Sequence, residues 1–127
     1  MSYYFAKTVD APFEQAIEKT IAVLKAHGFG VLTRIDVQST LKEKIGAEFR
    51  PYVILGACNP KLAHEALKAE DKIGTMLPCN VVVQAVGGKT EIVAIDPVAS
   101  MQAVHNDALE NIAGKVREEL NAVIQEV

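Results

Sequence analysis

The chain lacks tryptophan, has only two cysteines among its 127 residues, and contains no long apolar run. Because a bilayer-spanning helix needs about 20 apolar residues in succession, the sequence predicts no membrane partner. The first residues show no basic stretch followed by an apolar segment, so no secretory leader is expected. Two cysteines in such a chain are expected to be reduced thiols, which predicts a cytoplasmic location.

Basic residues are also too few and too scattered to form a nucleic-acid-binding face. The net charge is −3, with 13 basic against 16 acidic residues. Nucleic-acid binding needs clustered lysine and arginine on one face, so no nucleic-acid partner is expected. No repeat or low-complexity tract divides the chain, and its length suits one domain, residues 1–127.

Five β-like runs and two long amphipathic segments organise the chain. The first long helix is predicted to begin with Asp10 as N-cap and to end at His27-Gly28. The second begins with the capping-box pattern at Asp107 and keeps its apolar residues at helical spacing. Shorter helices are predicted from the capping box at Thr40 and from Asn59 as an N-cap. The predicted strands are 2–9, 29–37, 51–58, 79–86 and 90–96.

The order of these elements favours an α+β fold. Only one long helix lies between strands, and Gly87-Gly88 joins two β runs as a hairpin. These features predict a two-layer domain in which two long helices cover one face of a mostly antiparallel sheet. In the second strand, Val31, Thr33, Ile35 and Val37 are expected to share one face. Few polar residues remain for the other sheet face, so a homodimer through the sheet, or coverage by the short helices, is expected.

The stretch from Leu55 to Val83, "LGACNPKLAHEALKAEDKIGTMLPCNVVV", resembles the signature of the bacterial and archaeal family known as domain of unknown function 302. The later "IDPVASM" resembles the second block of that family, and the resemblance covers essentially the whole chain. It implies a TATA-binding-protein-like arrangement, strand-helix-four strands-helix, and a tendency to form homodimers. It implies no established activity, and a likeness of fold does not carry DNA binding with it.

Two cysteine-containing turns carry the most suggestive chemistry. Cys58 and Asn59 stand where a strand gives way to a helix, and Cys79 and Asn80 begin the next strand after Pro78. A thiol before a helix N-terminus is favoured as thiolate, which gives Cys58 the better claim to reactivity. The alternative is that both cysteines are small apolar residues packed in turns. The sequence contains no Cys-x-x-Cys motif.

Metal binding and hydrolysis find less support. Cys58, Cys79, His64 and His105 do not show the short ligand spacing of a zinc site, so no metal site is predicted. Asp96 and His105 are a conceivable acid–base pair, but no serine in a nucleophile elbow accompanies them. Gln84, inside a strand run, is a candidate for lining a pocket or a dimer seam.

Three functional hypotheses follow. The first is a small homodimeric binding module for a partly apolar small molecule. Its site is expected where the two cysteine turns meet the segment after Asp96, with Cys58, Asn59, Cys79, Asn80 and Asp96 as ligand-binding residues. The second is a thiol-based redox enzyme or carrier that uses Cys58 or Cys79. The third is a structural or interaction module, so whether the protein is an enzyme stays open, and no cofactor is assigned.

Overall fold

The structure is a computed structural model that describes residues 2–127. Five strands form the sheet: β1 (Tyr4–Val9), β2 (Gly30–Asp36), β3 (Tyr52–Cys58), β4 (Cys79–Val86) and β5 (Lys89–Ile95). Five α-helices accompany them: α1 (Phe13–Ala26), α2 (Val37–Ile45), α3 (Pro60–Ala69), α4 (Pro97–Ser100) and α5 (Asp107–Glu126). A 3₁₀ helix, Asp71–Met76, follows α3. Within residues 2–127 no helix is long and apolar enough to cross a bilayer.

The strands lie in the order β1-β5-β4-β3-β2, and every neighbouring pair is antiparallel. The hairpin between β4 and β5 turns at Gly87 and Gly88, which both have positive φ. Glycine adopts this backbone region without a steric penalty, and the predicted hairpin is confirmed. The first strand pairs with the last, since Tyr4 lies opposite Ile95 and Val9 opposite Thr90.

Both long helices pack on one face of this sheet. Leu55 of β3 and Val81 of β4 lie opposite each other, and both are fully buried beneath the helices. Ile17 of α1 and Leu120 of α5 are fully buried in the same cluster. Side chains alternate between the faces of a strand, so each strand contributes every second residue to this core. The predicted α+β class, with two long helices on one face of an antiparallel sheet, is confirmed.

The helix caps differ from the prediction at three helices and agree at one. Pro12 rather than Asp10 is the N-cap of α1, and it makes no side-chain cap bond. Asp36 rather than Thr40 caps α2, by accepting from Ser39 N. Asn106, one residue earlier than predicted, caps α5 by accepting from Leu109 N. Asn59 caps α3 as predicted, with Pro60 as the first helical residue.

A β-bulge changes the facing of residues along β2. Val31 lies opposite Ala57, but the register shifts after it, so that Thr33 lies opposite Gly56 and Ile35 opposite Ile54. The bulge sets one residue, Leu32, out of the alternation, and its side chain is exposed. The expectation that Val31, Thr33, Ile35 and Val37 share one face is therefore wrong. Val37 already belongs to α2.

The second face of the sheet carries little covering structure. Helix α2 runs beside β2 and β3 but has no buried residue, and its Ile45 is largely exposed. Ile54, Val82 and Val93 on this face are only half-buried. This face is called the open face below, and it is bordered on one side by the tyrosines at the start of β1.

Candidate functional site

One end of the two-layer domain contains an apolar cavity, called the end cavity below. Its inner volume is about 40 Å³, and the solvent-open depression around it measures about 450 Å³. The β3–α3 turn, the residues before β4, the short helix α4 and one face of α5 form its walls. The lining residues include Cys58, Asn59, Pro78, Cys79, Pro97 and Met101. The predicted meeting of the two cysteine turns with the segment after Asp96 occurs at this point.

Both cysteines lie at this end of the sheet. Ala57, the residue before Cys58, lies directly opposite Cys79 in the β3–β4 pairing. Cys58 and Cys79 therefore lie at adjacent strand ends, and both are free thiols that line the end cavity. The two thiols also interact electrostatically, because ionised Cys58 would raise the pKa of Cys79 further.

Burial gives Cys79 an unreactive thiol at neutral pH. Desolvation, with a smaller contribution from Cys58, raises the pKa of the Cys79 thiol to about 11. The thiolate is the nucleophile in cysteine chemistry, so Cys79 is almost wholly in its unreactive form near pH 7. Of the two residues in the redox hypothesis, Cys58 is the more accessible. It stands immediately before the N-cap of a ten-residue helix.

The two asparagines, Asn59 and Asn80, lie in different parts of the fold and have different contacts. Asn59 accepts a hydrogen bond from Leu62 N at 3.2 Å through Oδ1, so its side chain closes the first turn of α3 while lining the end cavity. Asn80 is exposed and lies opposite Gly56, on the open face of the sheet. The fold therefore separates Asn80 from the other predicted site residues, because successive residues of a strand point to opposite faces.

Asp96 lies beside the end cavity with its side chain already engaged. Its Oδ1 accepts from Val98 N at 3.0 Å and so caps α4. Its Oδ2 accepts from Arg117 Nε at 3.1 Å, which links the end of β5 to α5. Asp96 is itself buried, whereas its neighbour Pro97 lines the cavity. Asp96 therefore has a structural role. A ligand could bind its carboxylate only by displacing Val98 N or Arg117 from it.

No hydrolytic or zinc-like arrangement is present within residues 2–127. No group of three or more histidine, cysteine, aspartate or glutamate side chains there is placed to hold a metal ion. His64 and His105 are exposed, and Asp96 pairs with Arg117. The third histidine, His27, is the C-cap of α1 and contacts two glutamates of α5.

The comparison with known families matches residues 5–127 to the family described as Domain of unknown function DUF302. The chain belongs to the DUF302 family. A crystal structure of an uncharacterized conserved DUF302 protein from Bacillus stearothermophilus has the same fold, with a TM-score of 0.92 and 32% sequence identity. The match covers 98% of each chain. Among curated proteins no relative is found. The resemblance inferred from the cysteine-containing signature is thereby confirmed.

The open face of this DUF302 domain holds a second, larger groove of about 370 Å³. A row of polar side chains crosses it: Arg50 Nε donates to Gln84 Oε1 and Gln84 Nε2 donates to Glu91 Oε1, each at 2.9 Å. Gln84 lines this groove, and both the oxygen and the nitrogen of its side-chain amide are hydrogen-bonded within the row. The rest of the lining consists of Asn80, half-buried apolar residues and three tyrosines: Tyr3, Tyr4, Tyr52, Val82, Val93 and Ile95.

Sequence reasoning missed one residue that lines the end cavity and one that holds Asp96 beside it. Met101 lies in the "DPVASM" segment and is almost fully buried, with its side chain in the cavity wall. Its position just after the Asp96-Pro97 turn was the available signal. Arg117 was missed because nothing in the local pattern pairs it with Asp96, which lies 21 positions earlier.

Proposed function

We propose that the protein is a cytoplasmic binding module whose small, partly apolar ligand occupies the end cavity. The observation that carries the proposal is an apolar cavity where four separate segments of the chain meet. Free cysteines support a reducing compartment. Pockets for small molecules are predominantly apolar with a few polar groups, and Asn59 supplies such a group at the rim.

The size of the cavity restricts the ligand. About 40 Å³ exceeds the ~10–15 Å³ that one water molecule needs, but it is well below the ~150 Å³ apolar cavity that accommodates benzene. Only a few heavy atoms fit into the inner volume. The outer depression therefore takes the rest of the ligand, or α3 moves outward on binding. Alanines form much of the α3 wall, with Ala63 and Ala66 both lining the cavity.

The proposal is tested by titrating the protein with n-butanol while recording amide chemical shifts by NMR. The largest shifts are expected at α3 and α5 residues that line the end cavity. Ala63→Leu fills the cavity and should abolish these shifts. Ala22→Leu places the same side chain on an exposed position of α1 and should leave them unchanged. Unchanged probe binding in Ala63→Leu, or shifts confined to the open face, would refute the proposal.

A second copy of the chain on the open face forms the other part of the proposal. The half-buried apolar residues of β4 and β5, with the exposed Tyr3 beside them, leave apolar surface that a homodimer would cover. In a symmetric dimer the same surface patch of both copies forms the interface. The row from Arg50 to Glu91 would then run antiparallel to the same row of the second copy. Arg50 of each copy would lie towards Glu91 of the other, so that opposite charges meet.

Light scattering tests the dimer directly. A dimer at micromolar concentration is expected for the natural chain, and Val82→Lys on the open face should convert it to a monomer. Leu67→Lys, an exposed position of α3 outside that face, serves as the matched control. A monomeric natural chain at micromolar concentration would contradict this part of the proposal without affecting the ligand part.

A further inference from the structure

Three sulfur-containing side chains line the end cavity, and they are called the sulfur cluster below: Cys58, Cys79 and Met101. They come from three segments, namely the end of β3, the start of β4 and the residue after α4. Cys58 follows Ala57, the residue opposite Cys79, so the two cysteines lie at adjacent strand ends, and both line the cavity. Met101 is buried and lines the same cavity with a flexible thioether side chain.

The remaining walls of the cavity offer almost no other ligand atoms. Apart from Asn59, whose Oδ1 is engaged in capping α3, the lining side chains are hydrocarbon. A water molecule in a buried site needs about 2–4 polar partners, which this cavity does not provide. The inner volume of about 40 Å³ nevertheless exceeds the ~10–15 Å³ that one water-sized particle needs. The space therefore suits a small metal ion that binds sulfur ligands in preference to oxygen ligands.

The set of ligand atoms selects among metal ions. Structural zinc sites take four nitrogen or sulfur ligands, and calcium and magnesium take oxygen. Within residues 2–127 no group of three histidine, cysteine or acidic side chains is placed to hold a metal ion, so the two thiols have only a thioether as third partner. Thiolate and thioether ligands together select Cu(I), the soft monovalent ion of copper.

We propose that Cys58, Cys79 and Met101 form a binding site for a single Cu(I) ion at the inner wall of the end cavity. This inference goes beyond the proposed function and does not depend on an apolar ligand. Binding forms copper–sulfur bonds, and each thiol that becomes a thiolate releases its proton to solvent. The oxidation state of copper does not change. One released proton leaves a neutral complex, and two leave a single negative charge.

The start of α3 favours the negatively charged form of this complex. Cys58 directly precedes Asn59, the N-cap of a helix of ten residues. The free N–H groups of a helix N-terminus stabilise nearby negative charge. The apolar surroundings exclude water, which would otherwise compete for the ion and admit oxidants. The spacing rule that predicts no metal site considers ligands close in sequence, whereas these three come from separate segments that meet at one cavity.

The test is an anaerobic titration of the purified full chain with Cu(I) in competition with a chromophoric Cu(I) chelator. One equivalent of Cu(I) should transfer to the protein, and a parallel Zn(II) titration should show no stoichiometric binding. Cys58→Ser and Cys79→Ser should each weaken binding by at least the ~10–100-fold that loss of an outer-shell partner costs. Met101→Leu conserves volume, so it should keep the fold, which a thermal melt checks, and weaken binding at least tenfold.

Met76→Leu is the matched control, because Met76 is exposed on the 3₁₀ helix and does not line the cavity. It should bind Cu(I) like the natural chain. Failure of the natural chain to take Cu(I) from the chelator overturns the inference. Equal binding by Met101→Leu and Met76→Leu overturns the three-sulfur site. The two readouts are independent, because the amide shifts caused by n-butanol need no copper and Cu(I) transfer needs no apolar probe, so failure of the proposed function and failure of this inference give different results.

Discussion

The carboxylate of Asp96 accepts a hydrogen bond from Arg117 Nε at 3.1 Å and so joins the end of β5 to the middle of α5. The same carboxylate caps α4 through Val98 N. The guanidinium of Arg117 also lies over the ring of Phe5, with its carbon 5.3 Å from the ring centre. Asp96 therefore holds three elements, β5, α4 and α5, in a fixed relation beside the end cavity.

Replacing Asp96 by alanine should lower the free energy of unfolding by about 2 kcal/mol, because a buried charge-assisted bond and a helix cap are lost together. Urea denaturation measures this change. Asp10→Ala is the control, since Asp10 pairs with Lys89 at 3.5 Å in full exposure and should cost less than ~0.5 kcal/mol. Equal costs for the two variants would show that Asp96 is not a structural anchor.

Adding one methyl group at Gly56 should destabilise the protein by about 1–3 kcal/mol through overpacking. A Cβ atom there would overlap the Thr33 side chain and lie 2.8 Å from Pro78 Cγ. The same addition at Gly114, where nothing lies within 4 Å, should stabilise α5 by up to ~1 kcal/mol. Thermal or urea unfolding of the pair decides the point, and a neutral Gly56→Ala contradicts the close approach of β2 and the "LPCN" turn.

The two thiols should differ in reactivity. Iodoacetamide at neutral pH is expected to modify Cys58 and to leave Cys79 intact, because Cys79 is buried and its pKa is raised to about 11. Peptide mass spectrometry after a time course locates the adducts, and urea-unfolded protein should react at both positions. Modification of native Cys79 at the rate of Cys58 would show that the end of the sheet opens readily.

The contacts of His27 predict a pH-dependent contribution to stability. Its Nδ1 lies 2.9 Å from Glu119 Oε2 and its Nε2 lies 3.2 Å from Glu126 Oε2. The hydrogen bond to Glu119 has the largest effect on His27 and raises its pKa above 6.5. Burial lowers this pKa, but its effect is smaller. Because the folded pKa is the higher one, the stabilisation is complete below pH 6.5 and is lost as the pH rises through the folded pKa.

Unfolding free energies at about pH 5.5 and about pH 8.5 check this contribution. The natural chain should lose stability over this interval relative to Glu119→Gln, in which the main partner of His27 is neutral. Glu118→Gln, a neighbouring exposed position, should follow the natural chain. If Glu119→Gln and the natural chain respond identically to pH, the His27 contacts contribute nothing.

Much of the fold was predictable because local patterns and tertiary packing agree. The apolar run of β3, the Asn59-Pro60 start of α3 and the glycine hairpin each specify their own structure and are found as predicted. The facing of β2 was not predictable, because a bulge at Leu32 depends on how the strand fits against β3 rather than on its own alternation.

The sequence predicted where the site lies, but it did not predict all the residues that form it. The cysteine turns are marked in the sequence, so their meeting at one sheet edge follows once β3 and β4 are paired. Asn80 was grouped with them wrongly, since one step along β4 turns it to the open face. Met101 and Arg117 reach the site through the packing of α4 and α5, and no local pattern encodes such long-range contacts.

The pairing of β1 with β5 has a consequence for the order of assembly. Hairpins close quickly because their strands are near in sequence, so β4 and β5 can associate as soon as both exist. In contrast, β1 cannot pair until β5 has been made, because Val9 of β1 lies opposite Thr90 of β5. During synthesis from the ribosome, the earliest strand to emerge thus stays unpaired until nearly the whole sheet has formed, and it closes the edge of the domain at the end.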